Sequence, residues 1–211
     1  MASLPRSPAS VPSISPLPRS RADLAPVEVV EVVDSRNRPL AVMSLAAVHA
    51  QQLFHRSVLI LVYNPQGKLY LQQRSRRKTV YPGRWDVSAS GHVQAGESLE
   101  DAARRELFEE LDIQVERLAC KLQVPATPLT GYEFVTVFTA GRIHAVPRPN
   151  PAELDGGMFV DEDEMEYLIQ DYLDVLTPGL VHLHEHGMLF PNHSNHSNQH
   201  NHQGEAAPFT P

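Results

Sequence analysis

GHVQAGESLEDAARRELFEELDI, residues 91–113, is the most informative segment of this 211-residue chain. A turn that contains two glycines leads to Ser98, a residue type that often caps helix N-termini, and the following residues favour a helix over 99–111. Glu109 and Glu110 follow Glu106 by three and four residues, so all three carboxylates lie within about a 100° arc of one helical face. The segment therefore predicts a turn followed by a helix with an acidic face.

The acidic face has two interpretations. Like charges at these spacings repel by roughly a few tenths of a kcal/mol per pair, and a divalent cation would relieve that repulsion. Oxygen ligands favour magnesium or manganese over metals that prefer soft ligands. The alternative is a solvated surface, because Ala103, Leu107 and Leu111 form a separate apolar stripe that would face a core. The helix alone leaves both interpretations open.

The spacing of the whole segment separates these interpretations. Gly91 is followed after five residues by Glu97, and after seven more by RELFEELDI, residues 105–113. This pattern resembles the Nudix box, a loop-helix-loop motif with many fixed positions. Asp112 stands where the family usually has glycine. Asp tolerates a left-handed conformation better than most residues, so the motif survives the substitution at a cost of roughly 1 kcal/mol or less.

The resemblance implies a fold and a set of residue roles. The implied fold is of the α/β (α+β) class, a Nudix-type αβα sandwich around a mixed β-sheet. Glu106, Glu109 and Glu110 would bind the metal cofactor, Mg²⁺ with Mn²⁺ as a substitute. Glu97 and Arg105 would form an ion pair that braces the loop on the helix.

The implied activity is magnesium-dependent hydrolysis. The substrate would be a nucleoside diphosphate linked to another moiety, or a related small diphosphate, and water would be added across the phosphoanhydride. The general base stays open between Glu109 on the helix and Glu153 in the loop of residues 149–157, since many Nudix enzymes take a ligand or the base from such a loop. The sequence names neither the group beyond the diphosphate nor the phosphorus that is attacked.

A basic segment precedes the motif. YLQQRSRRKTVYPGRWDVSASGHV, residues 70–93, resembles the Nudix subgroup allied to isopentenyl-diphosphate isomerases and contains the densest cluster of basic residues in the chain. Its basic residues are Arg74, Arg76, Arg77, Lys78 and Arg84. Arginine forks and lysine ammonium groups bind phosphate oxygens, so Arg74 and then Lys78 are the candidate substrate-binding residues.

Two other functions remain as alternatives. His55, His92 and Glu133 lie where the isomerases have metal-binding or acid residues, and Ser90-Gly91-His92 stands where they have Cys-Gly-His. A serine hydroxyl is a far weaker acid than a thiol, which argues against the isomerase. The other alternative is a Nudix-like module that senses a nucleotide without cleaving it, and the complete set of three glutamates argues against that.

Composition bounds the remaining possibilities. The net charge is −7, which argues against a nucleic-acid polymer or an anionic membrane as partner. The sequence leaves the oligomeric state open, and a homodimer is one of the alternatives. Cys120 is the only cysteine, which excludes an intrachain disulfide framework, and we interpret it as a small buried residue. The composition favours a cytoplasmic enzyme.

The chain divides into three parts. Residues 1–25 are rich in Pro, Ser and Arg and are predicted to be disordered, although an organelle-targeting peptide has a similar composition. Residues 26–190 form the predicted Nudix hydrolase domain. Residues 191–211 form a His- and Asn-rich tail, also predicted to be disordered.

Hydrophobic patterns within the domain predict mixed α/β structure. SVLILVYN, residues 57–64, a Pro-Gln-Gly turn and the alternating run KLYLQQR, residues 68–74, predict a β-hairpin. The other predicted strands are residues 27–33, 85–90, 117–124 and 133–140. The predicted helices are residues 99–111, 162–172 and 179–188.

Overall fold

The computed structural model describes residues 27–190, so the predictions of disorder for residues 1–25 and 191–211 lie outside the described residues. This part of the chain forms nine β-strands and four α-helices. The strands are β1 (Val29–Val33), β2 (Pro39–Ser44), β3 (His55–Tyr63), β4 (Leu69–Arg74), β5 (Trp85–Asp86), β6 (Ala89–His92), β7 (Ala119–Val124), β8 (Glu133–Arg142) and β9 (Leu154–Val160). The helices are α1 (Leu45–Ala50), α2 (Leu99–Leu111), α3 (Glu162–Asp171) and α4 (Pro178–Glu185). None of the helices in residues 27–190 has the length and apolar character needed to cross a membrane.

Seven of the described strands form one mixed sheet. Strand β3 pairs in parallel with β8 and antiparallel with β6, and β8 pairs antiparallel with β7. Strand β4 follows β3 through the predicted hairpin and pairs antiparallel with β5 and β9. Strands β1 and β2 form a separate antiparallel hairpin. Because β6 and β8 border β3, segments that are distant in the sequence lie side by side.

Alternate residues of β3 point to opposite faces of the sheet, and helices cover both faces. Val58 and Ile60 are fully buried in one core cluster with Leu107 of α2. Leu61 lies in a second cluster with Met165 of α3 and residues of α4. Burying one such aliphatic side chain contributes roughly 1.5–3 kcal/mol, so both helical layers are held to the sheet by apolar packing. This arrangement confirms the predicted αβα sandwich around a mixed sheet.

Helix α2 has the bounds predicted from the sequence. The hydroxyl oxygen of Ser98 accepts a hydrogen bond from the N–H of Asp101 at 3.1 Å, which caps the N-terminus. The helix ends at Asp112, whose φ of 56° and ψ of 35° are left-handed. The N–H of Asp112 is bonded to the carbonyl groups of Leu107 and Phe108. Asp112 therefore adopts the conformation for which glycine is usual at this position.

Strands β2 and β9 and helix α1 are not predicted from the sequence. Strand β2 is exposed at most positions and α1 has six residues, so neither has a long apolar pattern. The prediction of a loop over residues 149–157 is wrong from Leu154 onward, because β9 begins there. Its glycines suggest a loop, but a Cβ atom on Gly157 would overlap the ring and hydroxyl of Tyr70 on the paired strand. Glycine is thus required at position 157 because β4 and β9 pack closely there.

Two further predictions are corrected. Residues 85–90 belong to two strands rather than one, since β5 pairs with β4 and β6 pairs with β3, and Val87 and Ser88 lie between them. The Ser88 hydroxyl donates to the carbonyl of Tyr70 at 2.6 Å and accepts from the N–H of Val62 at 2.9 Å. Cys120 is exposed rather than buried, because it lies on β7, where most side chains face away from the core.

Candidate active site and a neighbouring histidine cluster

Helix α2 presents two of its three candidate metal-binding carboxylates to strand β6. Glu110 is 2% exposed, and its Oε2 atom accepts a hydrogen bond from the N–H of Ser90 at 2.9 Å. Glu106 is also buried, and its carboxyl group lies against Gly91, where the absence of a side chain leaves room for it. Glu109 is exposed. The segment before the helix therefore encloses Glu106 and Glu110 and leaves Glu109 accessible.

Burial is the main influence on the two enclosed carboxyl groups. It raises the pKa of Glu106 to about 7, although the neighbouring Arg105 opposes the shift. It raises the pKa of Glu110 to about 8, although the hydrogen bond from Ser90 opposes the shift. A divalent cation stabilises such a desolvated pair in its ionised form, and an all-oxygen donor set suits a hard cation such as Mg²⁺. The residues present therefore fit the metal that the sequence pattern implies.

Arg105 joins the loop to the helix. Its Nε and Nη2 atoms donate to the two carboxylate oxygens of Glu97, each at 2.9 Å. Its Nη1 atom donates to Glu106 at 2.6 Å and to Glu109 at 3.1 Å, and Nη2 also donates to the carbonyl oxygen of His92 at 2.9 Å. Burial alone would lower the pKa of Arg105, but these carboxylates raise it, so the guanidinium stays charged. Arg105 thus fixes two of the three helix carboxylates relative to the loop.

The two candidate phosphate-binding residues lie near the enclosed carboxylates. The charges of Lys78 and Arg74 both act on Glu110, opposing the rise in its pKa. The Nη1 atom of Arg74 is 3.5 Å from Oδ2 of the buried Asp86, and its Nε atom donates to the carbonyl of Val80 at 3.2 Å. Arg74 is therefore held in place by the protein itself.

The other basic side chains of the segment have different partners. Lys78 forms an ion pair with Glu153, the candidate loop carboxylate. Arg77 donates to the carbonyl of Pro151 at 2.5 Å. Arg84 donates to the carbonyl of Leu176 at 2.9 Å. The structure thus brings Lys78 and Glu153 together, while Arg77 and Arg84 bind main-chain oxygens.

A second group of potential ligands includes His92, the residue that follows Gly91. One ligand atom from each of four residues lies within 4.8 Å of the others, and the four are His49, His55, His92 and Glu133. Oε1 of Glu133 is 3.7 Å from Nε2 of His55 and 3.5 Å from Nε2 of His92. Imidazole and carboxylate groups in this arrangement are a donor set for a divalent transition metal. We call these four residues the histidine cluster.

His55 has the protonation state of a metal ligand. Its side chain is buried, and its Nδ1 atom donates a hydrogen bond to the carbonyl oxygen of Leu53 at 2.9 Å. Its Nε2 atom is buried and has no hydrogen-bond partner among residues 27–190. Burial lowers the pKa of His55, so the ring is neutral at neutral pH. Nε2 therefore presents an unused lone pair to the histidine cluster.

The remaining members of the cluster form a charged pair beside a neutral ring. Burial lowers the pKa of His49, and the neighbouring imidazoles of His92 and His55 lower it further. Burial also opposes charge on His92 and Glu133, but their mutual hydrogen bond raises the pKa of His92 and lowers that of Glu133. The cluster therefore combines two neutral imidazoles, those of His49 and His55, with the charged pair of His92 and Glu133.

Strand pairing assembles the histidine cluster. The parallel register of β3 and β8 places His55 opposite Glu133, and the antiparallel register of β3 and β6 places Ser57 opposite His92. The short helix α1 supplies His49, which the sequence analysis does not single out. The only sequence signal is its position six residues before His55. Because α1 is not predicted, the sequence does not predict that His49 and His55 lie close together.

Comparison with known proteins identifies the family. The family model of the NUDIX domain matches residues 53–178. The chain is 45% identical over 87 residues to the uncharacterised Nudix hydrolase PA4841 of Pseudomonas aeruginosa, a match that covers 41% of this chain and 52% of that protein. It is 30% identical over 162 residues to the isopentenyl-diphosphate Delta-isomerase of Brevibacterium linens, covering 74% of this chain and 88% of that protein. The crystal structure of DR0079 from Deinococcus radiodurans matches with a TM-score of 0.61 at 28% identity, covering 69% of this chain and 90% of that one.

The chain belongs to the Nudix family, because the family model spans more than half of its length. The matches to the Pseudomonas and Yersinia hydrolases span about half the length of those proteins, 52% and 49%. The sequence is thus similar both to named hydrolases and to a named isomerase, and the choice between their activities depends on the site.

Proposed function

We propose that this protein is a magnesium-dependent hydrolase of a small diphosphate. The substrate is a nucleoside diphosphate linked to another moiety, or a related diphosphate compound. The observation that carries the proposal is the pair of buried carboxyl groups on α2, Glu106 and Glu110, with Arg105 fixed beside them. Burying two carboxyl groups is costly, and the single charge of Arg105, which Glu97 shares, cannot neutralise both, so a bound cation would stabilise the ionised pair. A sensing module would have no need for that arrangement.

Glu106, Glu109 and Glu110 would hold the metal. A bound Mg²⁺, or Mn²⁺ as a substitute, supplies charge neutralisation for the diphosphate and lowers the pKa of the attacking water. Glu97 keeps Arg105 in position, so that Arg105 neutralises part of the carboxylate charge. Without this ion pair the acidic side chains would repel one another and separate.

The basic segment supplies the charge that binds the substrate. Arg74 is held by Asp86 and Val80 and can offer its guanidinium to phosphate oxygens with little loss of side-chain entropy. Lys78 is paired with Glu153, and a phosphate group would compete with that carboxylate for the ammonium. Release of Glu153 by this exchange would free it to accept a proton from water, while Glu109 is the alternative base on the helix.

A coupled assay of phosphate release tests the proposal. Hydrolysis of a linked diphosphate yields two phosphomonoesters, and added phosphatase then releases inorganic phosphate from them; for isoprenoid diphosphates the phosphatase is omitted. The purified protein is incubated with nucleotide sugars, dinucleoside polyphosphates, coenzyme diphosphates and isoprenoid diphosphates, first with Mg²⁺ and then with Mn²⁺. Hydrolysis in ¹⁸O-water must place the label in one of the phosphate products. Metal-dependent release that disappears in Glu110→Gln supports the proposal, and no release from any substrate refutes it.

The histidine cluster favours a second candidate function, isomerisation of an isoprenoid diphosphate. The long match to the Brevibacterium isomerase and the position of the cluster beside Ser90 support it. The reaction adds a proton to one carbon and removes one from another, and Ser90 lacks the acidity of a thiol for this exchange. Isopentenyl diphosphate in D₂O distinguishes the two functions, since an isomerase exchanges carbon-bound hydrogen and releases no phosphate.

Metal binding by the cluster has its own readout. His55→Ala should lower the affinity for Mn²⁺ or Zn²⁺ measured by calorimetry at pH 7.5, because it removes the free Nε2 lone pair. His144→Ala serves as the control, since His144 lies outside the cluster.

A further inference from the structure

The segment that follows β8 returns to the C-terminal end of α2. The N–H of Asn150 donates to the carbonyl oxygen of Glu110 at 2.9 Å, and its side-chain Nδ2 atom donates to the carbonyl oxygen of Glu109 at 3.1 Å. The N–H of Arg148 donates to the carbonyl oxygen of Leu111 at 2.9 Å. The last carbonyls of an α-helix have no partner within the helix, so these three bonds complete its end. They also attach the segment to the main chain of two candidate metal ligands.

Asn150 also builds the turn that carries Glu153. Its Oδ1 atom accepts a hydrogen bond from the N–H of Ala152 at 3.0 Å. Its main-chain carbonyl oxygen accepts from the N–H of Glu153 at 2.9 Å and from the N–H of Leu154 at 2.8 Å. One residue thus donates two hydrogen bonds to the helix and accepts three from the turn. Its side-chain amide donates on one side and accepts on the other, which neither a carboxylate nor an aliphatic side chain can do.

These bonds connect three groups that the proposed hydrolase requires. Glu109 and Glu110 belong to the helix side, while Glu153, which pairs with Lys78, belongs to the turn side. We propose that Asn150 is a positioning residue, which sets the distance between the loop carboxylate and the helix carboxylates. This role rests on the proposed hydrolase function. Proton transfer and in-line attack tolerate little misplacement, and a shift of about 1 Å can cost on the order of 100-fold in rate.

Two substitutions of Asn150 separate its bonds. Asn150→Ala removes both side-chain bonds and keeps the main-chain bonds to Glu110 and Glu153. Asn150→Asp keeps an acceptor for Ala152 but loses the donor to Glu109, and it adds a negative charge at the negative end of the helix. If Asn150→Ala fails to fold, Asn150→Asp, which retains the turn, carries the test.

Asn64 provides the matched control. Its Oδ1 atom accepts from the N–H of Lys68 at 2.9 Å, and its carbonyl oxygen accepts from the N–H of Gly67 at 2.9 Å. It therefore organises a turn as Asn150 does, but in the β3–β4 hairpin and without a bond to α2. Asn64→Ala should lose similar stability and keep the wild-type turnover.

The experiment measures kcat and KM with the diphosphate that the wild-type protein hydrolyses fastest at saturating Mg²⁺. Both Asn150 variants should lose about 10- to 100-fold in kcat with little change in KM. In a Glu153→Gln background, Asn150→Ala should have little further effect on kcat, because both changes act on the same carboxylate. Melting temperatures of all variants are recorded.

Several outcomes would overturn this role. Asn150→Ala with the same kcat as Asn64→Ala shows that Asn150 only stabilises a turn. Losses that multiply fully in the double variant, or full activity of Glu153→Gln alone, show that Asn150 does not act through Glu153. A wild-type protein that hydrolyses no diphosphate in the panel overturns the proposed function and this role with it, whereas an active wild type with unaffected Asn150 variants overturns this role alone.

Discussion

The carboxyl group of Glu106 fills the space beside the Cα atom of Gly91. A Cβ atom on Gly91 would overlap the Glu106 carboxyl carbon and both of its oxygens. The φ angle of Gly91 lies outside the left-handed region, so its backbone conformation is open to any residue. Glycine is therefore needed at this position for the room it leaves to a candidate metal ligand.

Gly91→Ala should displace the Glu106 carboxylate and lower metal-dependent turnover by at least about 10-fold, as expected for a misplaced catalytic group. The far end of the Glu106 side chain can move, so the loss of stability should be small. Gly179→Ala is the control, because a Cβ atom there meets no atom of the described residues within 4 Å. Turnover measured against Mg²⁺ concentration checks the prediction, and a Gly91→Ala variant with wild-type metal dependence would contradict it.

Glu110→Gln should lower turnover by orders of magnitude while the fold is kept. Glutamine has nearly the same shape, and its carbonyl oxygen can still accept the hydrogen bond from Ser90. The substitution removes one ligand charge from the metal site. Phosphate release and the melting temperature are measured together. Near-full activity at saturating Mg²⁺ would show that Glu110 does not bind metal.

The stability of the metal-free protein should fall as the pH rises from about 4.5 to about 8. Burial raises the pKa of Glu106 to about 7 and that of Glu110 to about 8, from 4.5 in the unfolded chain. In this window the folded protein binds more protons than the unfolded chain, so raising the pH favours unfolding. Melting temperatures in EDTA over this range provide the measurement.

Addition of Mg²⁺ should reverse this trend, because a cation stabilises the ionised carboxylates more at pH 8.5 than at pH 5.5. Glu110→Gln removes one of the two titrating groups and should flatten the pH dependence in EDTA. An equal slope in the wild type and in Glu110→Gln would mean that other groups determine it.

Arg74→Ala should reduce turnover and substrate affinity more than Lys78→Ala. Arg74 offers a bidentate fork, whereas Lys78 offers a point charge that Glu153 already engages. Arg74→Ala should also lower the melting temperature, since burial raises the pKa of Asp86 and the charge of Arg74 offsets part of that effect. Lys121→Ala, which removes an exposed charge from β7, is the control for net charge. Equal and negligible effects of the Arg74 and Lys78 variants on KM would remove both from the substrate site.

Asp112→Gly should stabilise the protein without changing turnover. Asp112 has a φ of 56° at the end of α2, a conformation in which glycine is favoured by roughly 1 kcal/mol. Its ion pair with Arg148 at 3.2 Å joins two exposed side chains and contributes little. We expect a rise in melting temperature of about 2–4 °C. An unchanged or lower value would show that the ion pair outweighs the backbone effect.

Local signals account for the part of the site that the sequence predicts. Helix α2 has the expected bounds because Ser98 caps it and the carboxylates and apolar residues repeat with its period. The ion pair of Glu97 and Arg105 lies within the same short motif. Neighbours in sequence are neighbours in space here, so a pattern of residues is sufficient.

Tertiary pairing determines the rest. The ion pair of Lys78 and Glu153 joins two segments that are adjacent only after β4 and β9 have paired. The contribution of His49 depends on α1, which is too short for a periodic signal. Gly157 of β9 is typical of a loop in the sequence, because its packing partner Tyr70 lies on another strand and leaves no local signal. Single-sequence patterns contain none of this information.

The parallel pairing of β3 with β8 has a consequence for how the protein folds. The acidic motif is continuous in the chain and its helix can form early, because its contacts are local. The histidine cluster requires closure of the long loop between His55 and Glu133, which entropy delays. During synthesis on the ribosome, α2 is complete before β8 emerges. The acidic face of α2 can therefore form in a nascent chain before the histidine cluster is assembled.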